Sequence, residues 1–149
     1  MSIKKLFAAF AVLASLSSAA IASDNSTIAL AVGGYDLVSY QQGEPQKGTG
    51  HHLSSYKGNQ YAFANEDNQE AFEEDPEAYL PQYGGFCAYG AALGKKFYGD
   101  PTVYEVVDGK LYLNLDSKIQ GLWSEDKAKN IETADELWAS IKYVPANEL

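Results

Sequence analysis

Few residues in this chain of 149 are of the types that hold transition metals or act as nucleophiles. The chain has one cysteine, Cys87, and two histidines, His51 and His52, which are adjacent. Successive side chains of a strand point to opposite faces, so at most one histidine can join Cys87 and Asp36 around a single ion. Copper, zinc and iron accept such sulfur, nitrogen and oxygen ligands. The sequence therefore offers Asp36, His51, His52 and Cys87 as candidate metal ligands.

Each of these residues also has a structural interpretation. The histidine pair suits a solvated strand entrance, and Asp36 suits a turn or a helix cap. A lone cysteine is most often buried and inert. Cys87 follows Gly84 and Gly85 near the predicted start of a helix, which also allows a nucleophilic thiol. No histidine lies close to Cys87 in sequence to serve as its base, so we predict no catalytic residue.

The motifs of other site classes are missing from the sequence. The carboxylates of residues 65–75 lack the glycine and the ligand spacing of a calcium loop. There is no phosphate-binding glycine loop ending in Lys-Ser/Thr and no dinucleotide fingerprint. The chain has eleven tyrosines, and we predict that some form a ligand-binding or packing cluster. The residues of this cluster are Tyr35, Tyr40, Tyr61, Tyr83 and Tyr89.

The first 22 residues have the pattern of a secretory signal peptide. Lys4 and Lys5 precede an uncharged apolar run at residues 6–16, which is too short to span a bilayer. Small residues at 20–22 fit a cleavage site after Ala22. The sequence therefore predicts a periplasmic or secreted chain, without stable membrane insertion after cleavage. With one cysteine it makes no internal disulfide and must be stabilised by an apolar core.

The composition limits the kinds of partner. The chain has 11 lysines, no arginine and 20 acidic residues, for a net charge of −9. Nucleic acids are bound by clusters of basic residues, so an acidic chain of this kind is not expected to bind them. The hydrophobic fraction of 46% is ordinary for a folded protein. The expected partner is an unidentified protein or small ligand.

Turn residues and hydrophobic periodicity predict an α+β fold of short antiparallel hairpins packed with several short helices. Lys57-Gly58-Asn59 and Asp108-Gly109 each separate two short strand-like runs, as hairpin turns do. Helices are predicted at residues 66–74, 86–93, 119–126 and 131–141, and extended segments at 28–32 and 37–40. No internal repeat is visible in the sequence.

Several stretches resemble one known family. They are residues 34–40, residues 61–63 with Phe72, Asp75-Pro76 and Tyr79, residues 81–88 and residues 107–114. Together they resemble the YHS domain family, and the last two are similar to its exported bacterial members. The resemblance implies a YHS-like domain at residues 35–149 that includes C-terminal helices. Residues 23–34 form an N-terminal segment before it, and residues 1–22 are the signal peptide.

The resemblance also bears on metal chemistry. Some YHS domains belong to metal-handling proteins and contain three cysteines, which would fall here at Ser39, Ala64 and Asn68. All three thiols are absent. The expected function is therefore that of an exported, soluble, non-enzymatic binding or accessory module. The alternatives are a periplasmic copper, zinc or iron protein using His51 or His52 with Cys87, and a thiol enzyme with Cys87 as nucleophile.

Overall fold

The computed structural model describes residues 29–149, so the signal-peptide prediction lies outside the described residues. The strands are β1 (Leu53–Tyr56), β2 (Asn59–Ala62), β3 (Asp100–Val107) and β4 (Lys110–Asn114). The helices are α1 (Leu37–Gln41), α2 (Glu66–Glu74), α3 (Pro76–Tyr79), α4 (Ala88–Ala92), α5 (Ser117–Glu125) and α6 (Lys127–Ile141). Strands β1 and β2 form one antiparallel hairpin and β3 and β4 form another, which confirms the predicted α+β class. Over residues 29–149, no helix combines the length and apolarity that a membrane crossing requires.

Side-chain caps determine where the two nine-residue helices begin. The Asn65 side chain accepts a hydrogen bond from the Asn68 N–H at the start of α2. The Asp116 side chain accepts one from the Ile119 N–H at the start of α5. Such caps satisfy backbone donors that have no partner within the helix. The bounds predicted for α2 are confirmed.

Two local predictions are wrong. Residues 37–40 form helix α1 instead of an extended segment, because Asp36 caps them by accepting hydrogen bonds from the N–H groups of Val38 and Ser39. The extended prediction at 28–32 also fails in its described part, where only Leu30 makes an isolated strand bridge. Ala31–Gly34 is a 3-10 turn in which Val32 and Gly33 have positive φ.

The chain contains two units with the same order of elements, which we call the first unit (residues 31–80) and the second unit (residues 82–131). Each has a four-residue 3-10 turn, a five-residue helix, a hairpin, a nine-residue helix and a further helix. Corresponding elements lie 51 residues apart, as from Ala31 to Gln82. The exception is strand β3, which begins at Asp100, before the position equivalent to the start of β1. Its continuous pairing with β4 starts at Tyr104, which is the equivalent of Leu53.

The agreement extends to hydrogen-bond register and backbone conformation. Leu53 pairs with Ala62 in the first hairpin, and Tyr104 pairs with Leu113 in the second. Among residues 29–149, the non-glycine residues with positive φ form two equivalent pairs, Val32 with Tyr83 and Lys57 with Asp108. The prediction that the chain has no internal repeat is therefore wrong. What the units share in sequence is mainly glycine at equivalent positions, namely 33 and 84, 34 and 85, 43 and 94, 48 and 99, and 58 and 109.

Strand β4 of the second unit contributes to both apolar cores. Its residues Leu111 and Leu113 pack in the first core with α1, β2 and α2, where Phe63 and Phe72 are almost fully buried. Tyr112 points to the opposite face and packs in the second core around Trp123. The first unit's equivalents of Leu111 and Leu113 are Gln60 and Ala62. The large apolar side chains therefore occur on the second hairpin, which packs against the first unit.

The equivalent glycines Gly48 and Gly99 are expected to be intolerant of a side chain. A Cβ on Gly48 would overlap the Ala62 carbonyl, and one on Gly99 would lie 2.6 Å from the Leu113 Cβ. We predict that Gly48→Ala and Gly99→Ala each lower the free energy of unfolding by roughly 2–4 kcal/mol in urea denaturation. The larger effect is expected at Gly48, where the Ala62 backbone comes closer to the added carbon than the Gly85 carbonyl oxygen, at 2.8 Å, does at Gly99.

Gly121→Ala is the control for these variants. Gly121 lies inside α5 with open space where its Cβ would be. The substitution should raise stability slightly, by up to about 1 kcal/mol, because alanine favours a helix. Equal effects of all three substitutions would contradict the close packing described for the two units.

Candidate functional site

The Asp36 carboxylate is fully buried and accepts four hydrogen bonds. Its Oδ1 accepts from the N–H groups of Val38 at 2.9 Å and Ser39 at 3.3 Å. Its Oδ2 accepts from the Ala64 N–H at 2.9 Å and from Asn68 Nδ2 at 2.7 Å. Both oxygens are thus engaged by the chain's own donors, and Asp36 has the capping role that was one interpretation of its sequence position.

The three positions at which the resemblance to metal-handling YHS domains implies cysteines meet at this carboxylate. Ser39 and Ala64 each donate a backbone N–H to it, and Asn68 donates its side-chain amide. Ser39 Oγ also donates to the Asp36 carbonyl at 2.6 Å. The first unit thus holds a buried hydrogen-bonded network at the place where the resemblance implies a thiolate set.

Cys87 occupies the equivalent capping position of the second unit. It is 1% exposed, which agrees with a buried thiol. Its Sγ accepts from the Gly90 N–H at 3.4 Å and lies 3.5 Å from Asn114 Oδ1. Asn114 is itself fully buried, and its Oδ1 also accepts from the Tyr89 N–H at 3.2 Å.

Asn114 was not among the predicted site residues. A sequence signal for it exists, because this polar residue follows an apolar strand at the position where the first unit has Phe63. Its Nδ2 is one of two buried side-chain donors that have no hydrogen-bond partner within residues 29–149. The other is Trp123 Nε1.

The two histidines lie immediately before β1. His51 is exposed, and its backbone N–H donates to Thr49 Oγ1. His52 is half-buried, and its carbonyl accepts from the Phe63 N–H at 2.8 Å. Over the described range 29–149, no three histidine, cysteine or acidic side chains are grouped so that they could hold a metal ion. The ligand set of Asp36, His51, His52 and Cys87 therefore stays a prediction.

The five tyrosines predicted to cluster are divided between the two cores. Tyr35, Tyr40 and Tyr61 belong to the first core, and Tyr83 and Tyr89 to the second. The Tyr40 hydroxyl donates to the Pro101 carbonyl at 2.7 Å and so connects the units. The Tyr83 hydroxyl donates to Asp135 at 2.8 Å, and burial together with this contact raises the pKa of Tyr83.

A cleft of about 520 Å³ lies between the two units, and we call it the seam cleft. The first unit contributes Ala31, Val32, Gly33, Lys57, Asn59, Tyr61 and Leu80 to its lining. The second contributes Gly84, Gly85, Tyr98, Gly99, Pro101 and Leu113, and Pro81 between the units completes it. Both 3-10 turns therefore border the same cleft. Its walls are mostly apolar, while Lys57, Asn59 and Tyr61 bring polar groups from one hairpin.

A comparison with protein families identifies one segment of the chain. A YHS domain family model matches residues 42–83, which include the first hairpin, α2 and α3. Residues 42–83 of this chain are a YHS domain. Searches of curated proteins and of solved structures returned no match. The YHS match thus covers most of the first unit, and the same order of elements recurs in the second unit beyond it.

The Asp36 network predicts an unusually large effect for an isosteric substitution. Asp36→Asn replaces an acceptor oxygen by an NH2 group that faces other donors, and it removes the charge that strengthens all four hydrogen bonds. We expect a loss of roughly 3 kcal/mol in the free energy of unfolding, measured by urea denaturation. Asp116→Asn is the matched control and should change stability little, because asparagine caps helices as well as aspartate does. Similar small losses in both variants would contradict this description of the network.

Proposed function

We propose that this YHS-domain protein is an exported, non-enzymatic binding module whose ligand occupies the seam cleft. The observation that carries the proposal is the cleft itself, which both units build. Its volume of about 520 Å³ lies within the usual range of small-molecule sites. Apolar walls with a few polar groups at one end are the ordinary composition of such sites.

The lining favours a particular ligand chemistry. Part of the lining is apolar surface without hydrogen-bonding side chains, contributed by Leu80, Pro81, Pro101 and Leu113. Tyr98 is 82% exposed at the cleft, and its ring is stacked on Phe86, so one ring face is supported by the protein. Aromatic rings pack well on such a face. The body of the ligand is therefore an apolar ring system.

The first hairpin supplies the polar end of the cleft. Lys57 lies in its turn, and Asn59 and Tyr61 lie on β2. An ammonium, an amide and a phenol can all donate hydrogen bonds to an oxygen acceptor. Lys57 is held beside the cleft by its ion pair with Glu77. The ligand we propose is a small aromatic or alicyclic molecule that carries one carboxylate.

Export is a separate part of the proposal and is supported by the sequence of residues 1–22. The charged start, the short apolar run and the small residues before Ser23 fit a cleaved secretory signal. We expect the expressed full-length chain to be recovered from the periplasm or the medium, with Ser23 as its first residue by N-terminal sequencing. A cytoplasmic chain that retains Met1 would overturn this part.

The metal alternative has its own measurement. Metal content per purified chain should be compared between the wild type, Cys87→Ser and the double variant His51→Ala/His52→Ala. Near-stoichiometric copper, zinc or iron that falls in the variants would establish the alternative in place of the cleft proposal. The described contacts of Asp36, Cys87 and the histidines favour neither this alternative nor a thiol enzyme.

The ligand proposal predicts opposite effects from two neighbouring substitutions. Phenylacetate and indole-3-acetate serve as probes, with their neutral amides for comparison, and binding is measured by titration calorimetry. Lys57→Gln should weaken carboxylate binding by about tenfold, the loss of one charge-assisted hydrogen bond, and should leave amide binding unchanged. Glu77→Gln releases Lys57 from its ion pair and should strengthen carboxylate binding several-fold.

Lys118→Gln is the control, because Lys118 is an exposed lysine in α5 outside the cleft lining. Equal binding of the carboxylates and amides would show an apolar site without the anion preference. No binding of any ring probe would overturn the cleft proposal as a whole.

A further inference from the structure

The two units differ chemically at one equivalent buried position. Asp36 caps α1 and Cys87 caps α4, and both are almost completely buried. Their backbones are held in the same way, since the Asp36 N–H donates to the Gln46 carbonyl at 2.9 Å and the Cys87 N–H donates to that of Phe97 at 2.8 Å. The carboxylate and the thiol therefore extend from corresponding backbone sites.

Two of the four donors that surround the carboxylate have counterparts around the thiol. In the first unit, the N–H groups at the second and third positions after Asp36 both reach Oδ1. In the second unit, the corresponding donors are the N–H groups of Tyr89 and Gly90. Tyr89 donates to Asn114 Oδ1 at 3.2 Å, and Gly90 donates to Cys87 Sγ at 3.4 Å. The amide oxygen thus takes the place of a carboxylate oxygen that cysteine lacks.

With a thiol and an amide in place of a carboxylate, the second unit has one buried donor without an acceptor. Asn114 is 0% exposed, and within residues 29–149 its Nδ2 has no hydrogen-bond partner. In the first unit, a side-chain amide from Asn68 donates to the second carboxylate oxygen at 2.7 Å. An unpaired buried donor is costly, and native structures seldom keep one without a reason. The second unit thus has the donors for a two-oxygen anion at position 87.

We propose that Cys87 is a site of oxidation to a sulfinate by hydrogen peroxide. A cysteine sulfinate carries two oxygens and one negative charge on the atom after Cβ, as an aspartate carboxylate does. The Tyr89 and Gly90 N–H groups then donate to one sulfinate oxygen. The Asn114 side chain, rotated by half a turn, donates Nδ2 to the other. The sulfinate then accepts three hydrogen bonds, where Asp36 accepts four.

The reaction needs two molecules of peroxide. In the first step the sulfur attacks one peroxide oxygen, the O–O bond breaks, and the thiol proton leaves with the other oxygen as water. The product is a sulfenic acid, in which sulfur has lost two electrons. A second peroxide repeats the oxygen transfer and releases a second water, and the sulfinic acid then ionises. The backbone of Cys87 forms a strand bridge with Leu113, which lines the seam cleft.

This proposal does not depend on the ligand of the seam cleft, and it makes an unusual prediction about stability. A new buried charge normally unfolds a protein. Here the charge meets prepared donors, so the oxidised chain should be at least as stable as the reduced chain. Purified full-length mature protein is treated with hydrogen peroxide, and a gain of about 32 Da on the peptide that contains Cys87 identifies the sulfinate. Urea denaturation then compares the oxidised and reduced forms, with Cys87→Ser as the control for oxidation elsewhere.

Substitution with aspartate tests the same donors without any oxidant. Cys87→Asp places a carboxylate where the sulfinate would be and should give a folded protein. Ala91→Asp on the same helix is the matched control, because Ala91 is also 0% exposed and lies in the apolar second core, and it should unfold the chain. Adding Asn114→Asp to Cys87→Asp should remove the tolerance, since two carboxylates then face each other.

The outcomes separate clearly. A sulfinate at Cys87 in a stable chain, together with a folded Cys87→Asp variant, would support the proposal. It would be overturned if Cys87 remains unmodified in folded protein under peroxide. It would also be overturned if the sulfinate unfolds the chain, or if Cys87→Asp is as unstable as Ala91→Asp.

Discussion

The alternation of side chains along β4 is the constraint on which most of this structure depends. Leu111 and Leu113 complete the core of the first unit, while Tyr112 between them belongs to the core of the second. One strand is therefore required by two apolar clusters, and its register cannot slip by one residue without exposing both sets. The same strand places Leu113 in the seam cleft and Asn114 against Cys87. Packing, cleft and buried thiol are thus positioned together.

Local chemistry made much of the fold predictable from sequence. Asn65 with its following acidic residues predicted α2, and Asp108-Gly109 predicted the second hairpin, because caps and tight turns depend on neighbouring residues. Helix α1 was not predicted, because its five residues are too few to show a helical period. What starts this helix is the Asp36 carboxylate, whose partners Ala64 and Asn68 lie far along the chain. Sequence reasoning identified Asp36 as a capping candidate but could not find those partners.

The repeat escaped sequence analysis for a related reason. The two units preserve a backbone path more than a set of side chains, and a backbone path is recorded in sequence mainly by glycines. Cores tolerate the exchange of one apolar residue for another, as between the equivalent residues Phe72 and Trp123. Positions with positive φ or with close contact between backbone segments accept few residues other than glycine. The functional contrast between Asp36 and Cys87 becomes visible only after the units are aligned by structure. Asn114, which determines the character of the second site, likewise gains meaning from its alignment with Phe63.

The covalent connection between the units also has a thermodynamic consequence. The first core is closed by leucines that belong to the second unit. If the units were separate chains, that closure would be a bimolecular association and would weaken on dilution. Within one chain, the second hairpin is present at an effective concentration set by a short tether, whatever the protein concentration. The equivalent face of the first hairpin carries Gln60 and Ala62, so it has less apolar surface against which another unit could pack. Terminal repeats of repeat arrays have a similarly polar outer face. The pair is thereby a closed structure that keeps its core at any dilution.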